Sequence, residues 1–224
     1  FLSTSVANDK IYAIGGWAED WDGQAIDHAF EAVEEYDPKT DVWIEKKSMP
    51  SSKWRDFHCA SVINDKIYVI GGWGKDGKPC STVEEYDPMT DTWTEKSNML
   101  IARDSFSTCV LNGKIYAIGG LDSNEIPLSS IEEYDPKTDQ WRKRSNMPLS
   151  VYGLYACAIN GKIYTIGGYT FLDETSNIVS EYDPKADVWR VRKDMVPLIP
   201  DIFSANVVNG RIYSIIGGHI CEYD

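Results

Sequence analysis

Few residues able to do acid–base, nucleophilic or metal chemistry in this 224-residue sequence stand at the spacings such chemistry needs. The three histidines, His28, His58 and His219, lie far apart without metal-ligand spacing. The cysteines Cys59, Cys80, Cys109, Cys157 and Cys221 form an odd set with no C-x-x-C pair. That argues against a disulfide framework or zinc site and for a reducing, cytoplasmic setting. Stretch 17–32 gathers Glu19, Asp20, Asp22, Asp27 and Glu31 with no Lys or Arg. Its Asp20-Trp21-Asp22-Gly23 run has a faint likeness to a calcium loop. It lacks the first carboxylate and the closing glutamate of such a loop, so it reads as a solvated acidic loop. No nucleophile elbow, phosphate loop or dinucleotide fingerprint occurs. The sequence therefore assigns no catalytic residue, no metal and no cofactor. Its other conspicuous side chains suit recognition: Trp17, Trp21, Trp73, Tyr169 and Phe171 in one set of segments, and Trp54, Arg55, Arg103 and Tyr152 in another.

The elements that hold these side chains follow from internal repetition. Gly-Gly pairs recur at 15–16, 71–72, 119–120, 167–168 and 217–218, each a few residues after an Ile-Tyr. Glu-Tyr-Asp follows at 35–37, 85–87, 133–135, 181–183 and 222–224. In the first four units a Trp lies seven residues beyond that Tyr (Trp43, Trp93, Trp141, Trp189), and a Met lies six further on (Met49, Met99, Met147, Met195). Each unit reads as four strands, a to d. Strand a spans 104–111 in the third unit, and Asn112-Gly113 after it is a type I′ hairpin signal. Strand b, from Lys114 to Gly119, is apolar at consecutive positions, as suits a strand covered on both faces. Ile131-Glu132-Glu133-Tyr134 is strand c. Asp135-Pro136-Lys137-Thr138-Asp139 is a turn, and Gln140-Trp141-Arg142-Lys143 begins strand d.

A sheet apolar on both faces is stable only when stacked against others, as in a propeller. The Gly-Gly, Tyr and Trp offsets resemble the kelch repeat. The resemblance implies an all-β, kelch-type β-propeller of five repeats: four complete four-stranded blades and a fifth lacking its outer strand. It also implies that strand a is innermost and that the Tyr and Trp pack between blades. The expected organisation is a single domain over 1–224, with repeats at about 1–48, 49–98, 99–146, 147–194 and 195–224. The missing initiator Met reads as a piece cut from a longer polypeptide. A five-bladed ring, whose missing outer strand would lie just upstream of Phe1, is the simple count, and a six-bladed parent of which this chain is a fragment is the alternative.

In an up-and-down blade the a–b and c–d turns share one face of the ring, and the b–c and d–a loops share the other. The turns, with Lys39, Lys137 and Lys185, are nearly invariant among the repeats, whereas the loops differ. Divergence on a constant scaffold is where binding specificity is written. The expected partner-binding set is therefore Trp17, Trp21, Trp54, Arg55, Trp73, Arg103, Tyr152 and Tyr169. Related kelch adaptors imply arginines near the channel mouth that hold acidic peptides. The competing reading of Arg55 and Arg103 is an Arg–Asp pair tying a strand start to its neighbour.

The balance of 35 acidic against 22 basic residues, a net charge of −13, disfavours nucleic acid and anionic membrane as partners. No apolar run is long enough to span a bilayer. The resemblance thus points to a non-catalytic scaffold module for a protein or peptide. Carbohydrate or small-ligand binding and a kelch-type enzyme are the alternatives, and self-association through an unpaired edge at Glu222–Asp224 is a further possibility.

Overall fold

The structure, a computed structural model, describes residues 2–16, 31–50, 55–172, 174–176, 178–192, 202–216 and 219–223. Regular structure among them is all β. Two compact units divide the chain, Phe1–Asp104 and Ser105–Asp224.

The first unit holds two four-stranded antiparallel sheets. One is formed by β1 (Ser3–Ala7), β2 (Lys10–Ile14), β3 (Val33–Asp37) and β4 (Val42–Glu45) in that order. A two-residue β5 (Arg55–Asp56) precedes the second sheet, made of β6 (Cys59–Ile63), β7 (Lys66–Ile70), β9 (Val83–Asp87) and β10 (Thr92–Lys96). Between β7 and β9, the short β8 (Trp73–Gly74) pairs back onto β5. The second unit repeats the pattern with β11 (Ser107–Leu111), β12 (Lys114–Ile118), β13 (Ile131–Asp135) and β14 (Gln140–Arg144). Its next blade is β15 (Tyr155–Ile159), β16 (Lys162–Ile166), β17 (Val179–Asp183) and β18 (Val188–Val191). The fifth sheet is three-stranded, β19 (Ile202–Val208), β20 (Arg211–Ile216) and β21 (His219–Tyr223), with a register irregularity between Ile202 and Ser204. First strands of successive blades are neighbours within each unit: β1 with β6, β11 with β15 and β15 with β19.

The hairpins form as their sequence dictates. Asn112 and Gly113 both take positive φ (54° and 70°), as do Asn160 and Gly161, which is the type I′ geometry that matches strand twist. In the c–d turns, the first Asp accepts the N–H two residues on, at 2.8 Å for Asp37 and Lys39 and 2.9 Å for Asp183 and Lys185. The second Asp of each turn is left-handed (Asp41, Asp91, Asp139, Asp187).

These left-handed aspartates hold neighbouring blades together. In the first unit Asp91 accepts the Tyr86 hydroxyl at 2.6 Å and the Lys47 N–H of the preceding blade at 2.9 Å. The Lys47 carbonyl in turn accepts the Trp93 indole N–H at 2.8 Å. In the second unit Asp187, Tyr182, Ser145 and Trp189 repeat every bond of this clasp. Tyr86 also meets Tyr12 of the blade before it edge-on at 6.2 Å, and Tyr182 meets Tyr116 at 6.3 Å. In the second and fourth blades the recurrent Tyr and Trp are thus inter-blade scaffold, as the resemblance implied, and the turn Asp joins them. Burial of Ile14, Val33, Ile67 and Val69 in one core, and of Ile118, Ile131, Ile163 and Leu154 in another, completes the packing.

Candidate functional site

At the loop end of the second and fourth blades, the segment before the first strand and the b–c loop are stitched together by backbone. In the second blade β5 pairs with β8, setting Arg55 opposite Gly74 and Asp56 opposite Trp73. The fourth blade does the same: Tyr152 and Tyr169 exchange N–H···O bonds of 3.0 and 2.8 Å, and their rings lie 5.5 Å apart. The segment that follows a blade also bonds back to that blade's b–c loop. Gly72 donates to the Arg103 carbonyl (2.9 Å) and Arg103 donates to the Cys80 carbonyl (3.2 Å). One blade later Gly120 donates to Val151 (2.9 Å) and Val151 to Leu128 (3.2 Å). A Cβ on Gly72, whose φ is +98°, would lie 2.5 Å from the Asp56 carbonyl, so this close approach requires glycine.

The b–c loops share a backbone form that their sequences conceal. Bridges Trp73–Pro79, Leu121–Pro127 and Tyr169–Thr175 close them at one common offset. The tips alone differ. The second blade shows Lys75-Asp76-Gly77-Lys78 and the third Asp122-Ser123-Asn124-Glu125, while the fourth shows Phe171 and Leu172 at 70% and 73% exposure. These two tip residues are large apolar side chains with no packing role, on a base held by Tyr152 and Tyr169. Leu172 was not singled out from sequence, because an isolated Leu carries no signal until its neighbours are seen to leave it bare.

The structure corrects the reading of the two arginines. Arg55 and Arg103 were expected to reach a partner at the channel mouth, yet they are 1% and 0% exposed. Arg55 is a strut. Its Nη1 donates to the carbonyls of Gly71 (3.2 Å) and Thr82 (2.9 Å), closing the base of the b–c loop, and its Nη2 pairs with the buried Glu84. The alternative reading gave Arg55 a structural role, and Glu84 is a carboxylate that it pairs with. Glu132 follows Arg103 at the same separation as Glu84 follows Arg55 and is likewise buried. In the fourth blade both positions change together, to Val151 and Ser180, again buried. A buried ion pair that loses one member strands the other, so the joint replacement is the expected solution.

Of the other expected contact residues, Trp73, Tyr152 and Tyr169 are half-buried at the loop ends. Trp17, Trp21 and Trp54 lie outside the described residues, as does most of the acidic stretch 17–32. His58 sits under this region, its Nε2 2.8 Å from the Ser3 hydroxyl. Burial, reinforced by the nearby Arg55 charge, lowers its pKa to about 3 and keeps the ring neutral. Cys59, Cys80, Cys109 and Cys157 are free thiols, and burial raises those of Cys109 and Cys157. Among the described residues no three His, Cys, Asp or Glu side chains gather as metal ligands. The arrangement can present surface.

Comparison with known proteins agrees with the repeat chemistry. Residues 2–168 match the model described as the KLHDC2/KLHL20/DRC7 Kelch-repeats domain, and residues 153–196 match the Kelch motif. The human Kelch repeat and BTB domain-containing protein 12 is 37% identical over 73 residues, 32% of this chain and 11% of that protein, so the chain spans a small part of this relative's length. The solved structure of YjhT superposes with a TM-score of 0.79 at 19% identity, covering 95% of this chain and 70% of its own. That likeness establishes the propeller architecture. With family-model matches over most of its length and the blade clasp repeated in both units, the chain belongs to the kelch-repeat family.

Proposed function

We propose that this chain is a binding module whose loop ends receive a protein or peptide partner, with the scaffold turns at the other end of each blade uninvolved. The observation that carries the reading is the bare apolar tip Phe171-Leu172 on a backbone-stitched base. Exposed aromatic side chains on a rigid support act as interface anchors, because little ordering entropy is lost when they are covered. Trp73, Tyr152 and Tyr169 supply flanking surface, and Trp17, Trp21 and Trp54 belong to the same set of loops in sequence. Arg55 acts from beneath by fixing the base of its loop. The kelch repeats of a BTB-containing relative support a protein-interaction role.

The test is a dissociation constant measured for a captured protein partner with Phe171→Ala and Tyr152→Ala chains. Loss of a buried anchor costs about 2 kcal/mol or more, so affinity is expected to fall at least roughly tenfold. Lys39→Ala and Lys137→Ala should leave it unchanged. Binding indifferent to the loop variants, or a glycan-array signal without any protein partner, would reject the reading.

A further inference from the structure

The turn end of the second unit carries a cavity of about 160 Å³ lined by Asn112, Lys114, Glu133, Arg142, Arg144 and Lys185, with Tyr116 and Pro184 at its wall. One carboxylate there is surrounded by more donors than it can use. Glu133 accepts from Lys114 Nζ (2.7 Å), Tyr116 OH (3.0 Å), Arg142 Nε (2.9 Å) and Arg144 Nε (2.7 Å), and from an Nη2 of each arginine. A carboxylate offers about four lone-pair sites, so six donors already exceed its capacity. Lys114 also reaches Asp135 at 3.3 Å. Among the described residues the Nη1 groups of both arginines and the ammonium of Lys185 have no partner within the protein. Four cations and one carboxylate thus line an open space, with Asp135 drawing on Lys114 and Asp187 on Arg144 from outside it, in a chain whose net charge is −13.

The corresponding place in the first unit shows that the scaffold does not demand this. There Ile44 stands opposite Glu35 where Arg142 stands opposite Glu133, and Met89 takes the turn position of Lys185. Glu35 is satisfied by Tyr12 at 2.7 Å, with Lys46 and Lys10 at 3.5 and 3.9 Å. The first unit builds the same four-stranded blade without these two cations, so the scaffold does not require Arg142 or Lys185 at these positions.

We propose that this cavity is a phosphate-binding subsite, taking a phosphate monoester between the free guanidinium edges of Arg142 and Arg144 and the Lys185 ammonium. A tetrahedral dianion matches several converging N–H donors and the uncompensated charge. The subsite lies at the opposite end of the blades from the loops and is independent of the partner reading given for them.

Titration of the whole chain by calorimetry at low salt, with inorganic phosphate and with a phosphoserine peptide, tests it. Saturable one-site binding is expected, weakened severalfold or more by Lys185→Met and abolished by Arg142→Ile with Lys185→Met, the side chains the first unit already tolerates. Lys185 is exposed, so its replacement leaves folding intact, and the single variant alone decides the matter. Lys143→Met is the control: side chains alternate along β14, which puts Lys143 on the face away from Arg142 and Arg144. Its affinity should match the parent. A peptide that binds at least tenfold tighter than inorganic phosphate assigns the source to a phosphorylated side chain, and equal affinities assign it to a small phosphate compound. No saturable binding of either probe, unchanged binding in the double variant, or equal losses from Lys143→Met and Lys185→Met would overturn the proposal.

Discussion

Arg55 shows how a single side chain can be misread when its chemistry is considered without its partner. A lone arginine before a strand looks like an exposed cation, because charged residues are almost never fully buried unless paired. Its partner Glu84 is distant in sequence, and only the joint change to Val151 and Ser180 in the fourth unit betrays the coupling. Arg55→Val should therefore destabilise the protein by about 3–5 kcal/mol, since it leaves Glu84 buried and uncompensated. The double variant Arg55→Val, Glu84→Ser, which installs the fourth blade's pair, should recover most of the loss in thermal melts. No recovery would mean that the two residues do not act as a pair. His58 gives a second expectation at this scale. Its folded pKa of about 3 lies below the ordinary 6.5, so the unfolded chain takes up a proton that the native ring refuses. The contribution of the neutral ring to stability is complete above pH 6.5 and declines as pH falls towards 3. Its ring proton resonances should show no titration between pH 5 and 8, and a midpoint near 6 would contradict the buried, neutral ring.

At the scale of elements, the blade is joined to its neighbour by the Tyr–Asp–Trp clasp more than by strand pairing. Asp187 accepts both the Tyr182 hydroxyl and the Ser145 N–H. Asp187→Ala strands these donors and costs the blade a left-handed turn residue. An expected loss of about 1–3 kcal/mol follows from the unsatisfied groups, visible as a lower denaturation midpoint with an unchanged far-UV spectrum. Glu133 adds a pH dependence to the same region. Burial alone would raise its carboxyl, but hydrogen bonds from Lys114, Arg144, Arg142 and Tyr116 outweigh that and hold it at about 2. Its stabilising effect is present above the ordinary value of 4.5 and is lost as pH falls through about 2. Strand and turn were legible because their signals are local: Asn-Gly for the hairpins, Asp-Pro for the c–d turns, and consecutive apolar residues for the covered strands. The two-residue β5 and β8 were not. A pairing that short has no periodicity to read, and its partners are set by the meeting of two loops rather than by either segment.

For the molecule as a whole, a constant scaffold carries loop tips that differ in chemistry. The repeat offsets made the propeller and its motif residues readable, since five registers of Gly-Gly and Tyr, four of them with a Trp, can be satisfied together only by stacked blades. The loop ends were readable as the divergent part, but the common hairpin form beneath the divergence was not, because backbone bridges such as Tyr169–Thr175 tolerate many side chains. This separation makes the binding proposal open to a direct measurement. Hydrogen exchange of the chain, free and saturated with its partner, reports protection along the backbone in one experiment. New protection is expected within the loop ends, at 71–82, 119–130, 151–153 and 167–176, with no change in the turns at 37–41, 87–91, 135–139 and 183–187. Protection confined to those turns, with the loop ends exchanging as in the free chain, would contradict it.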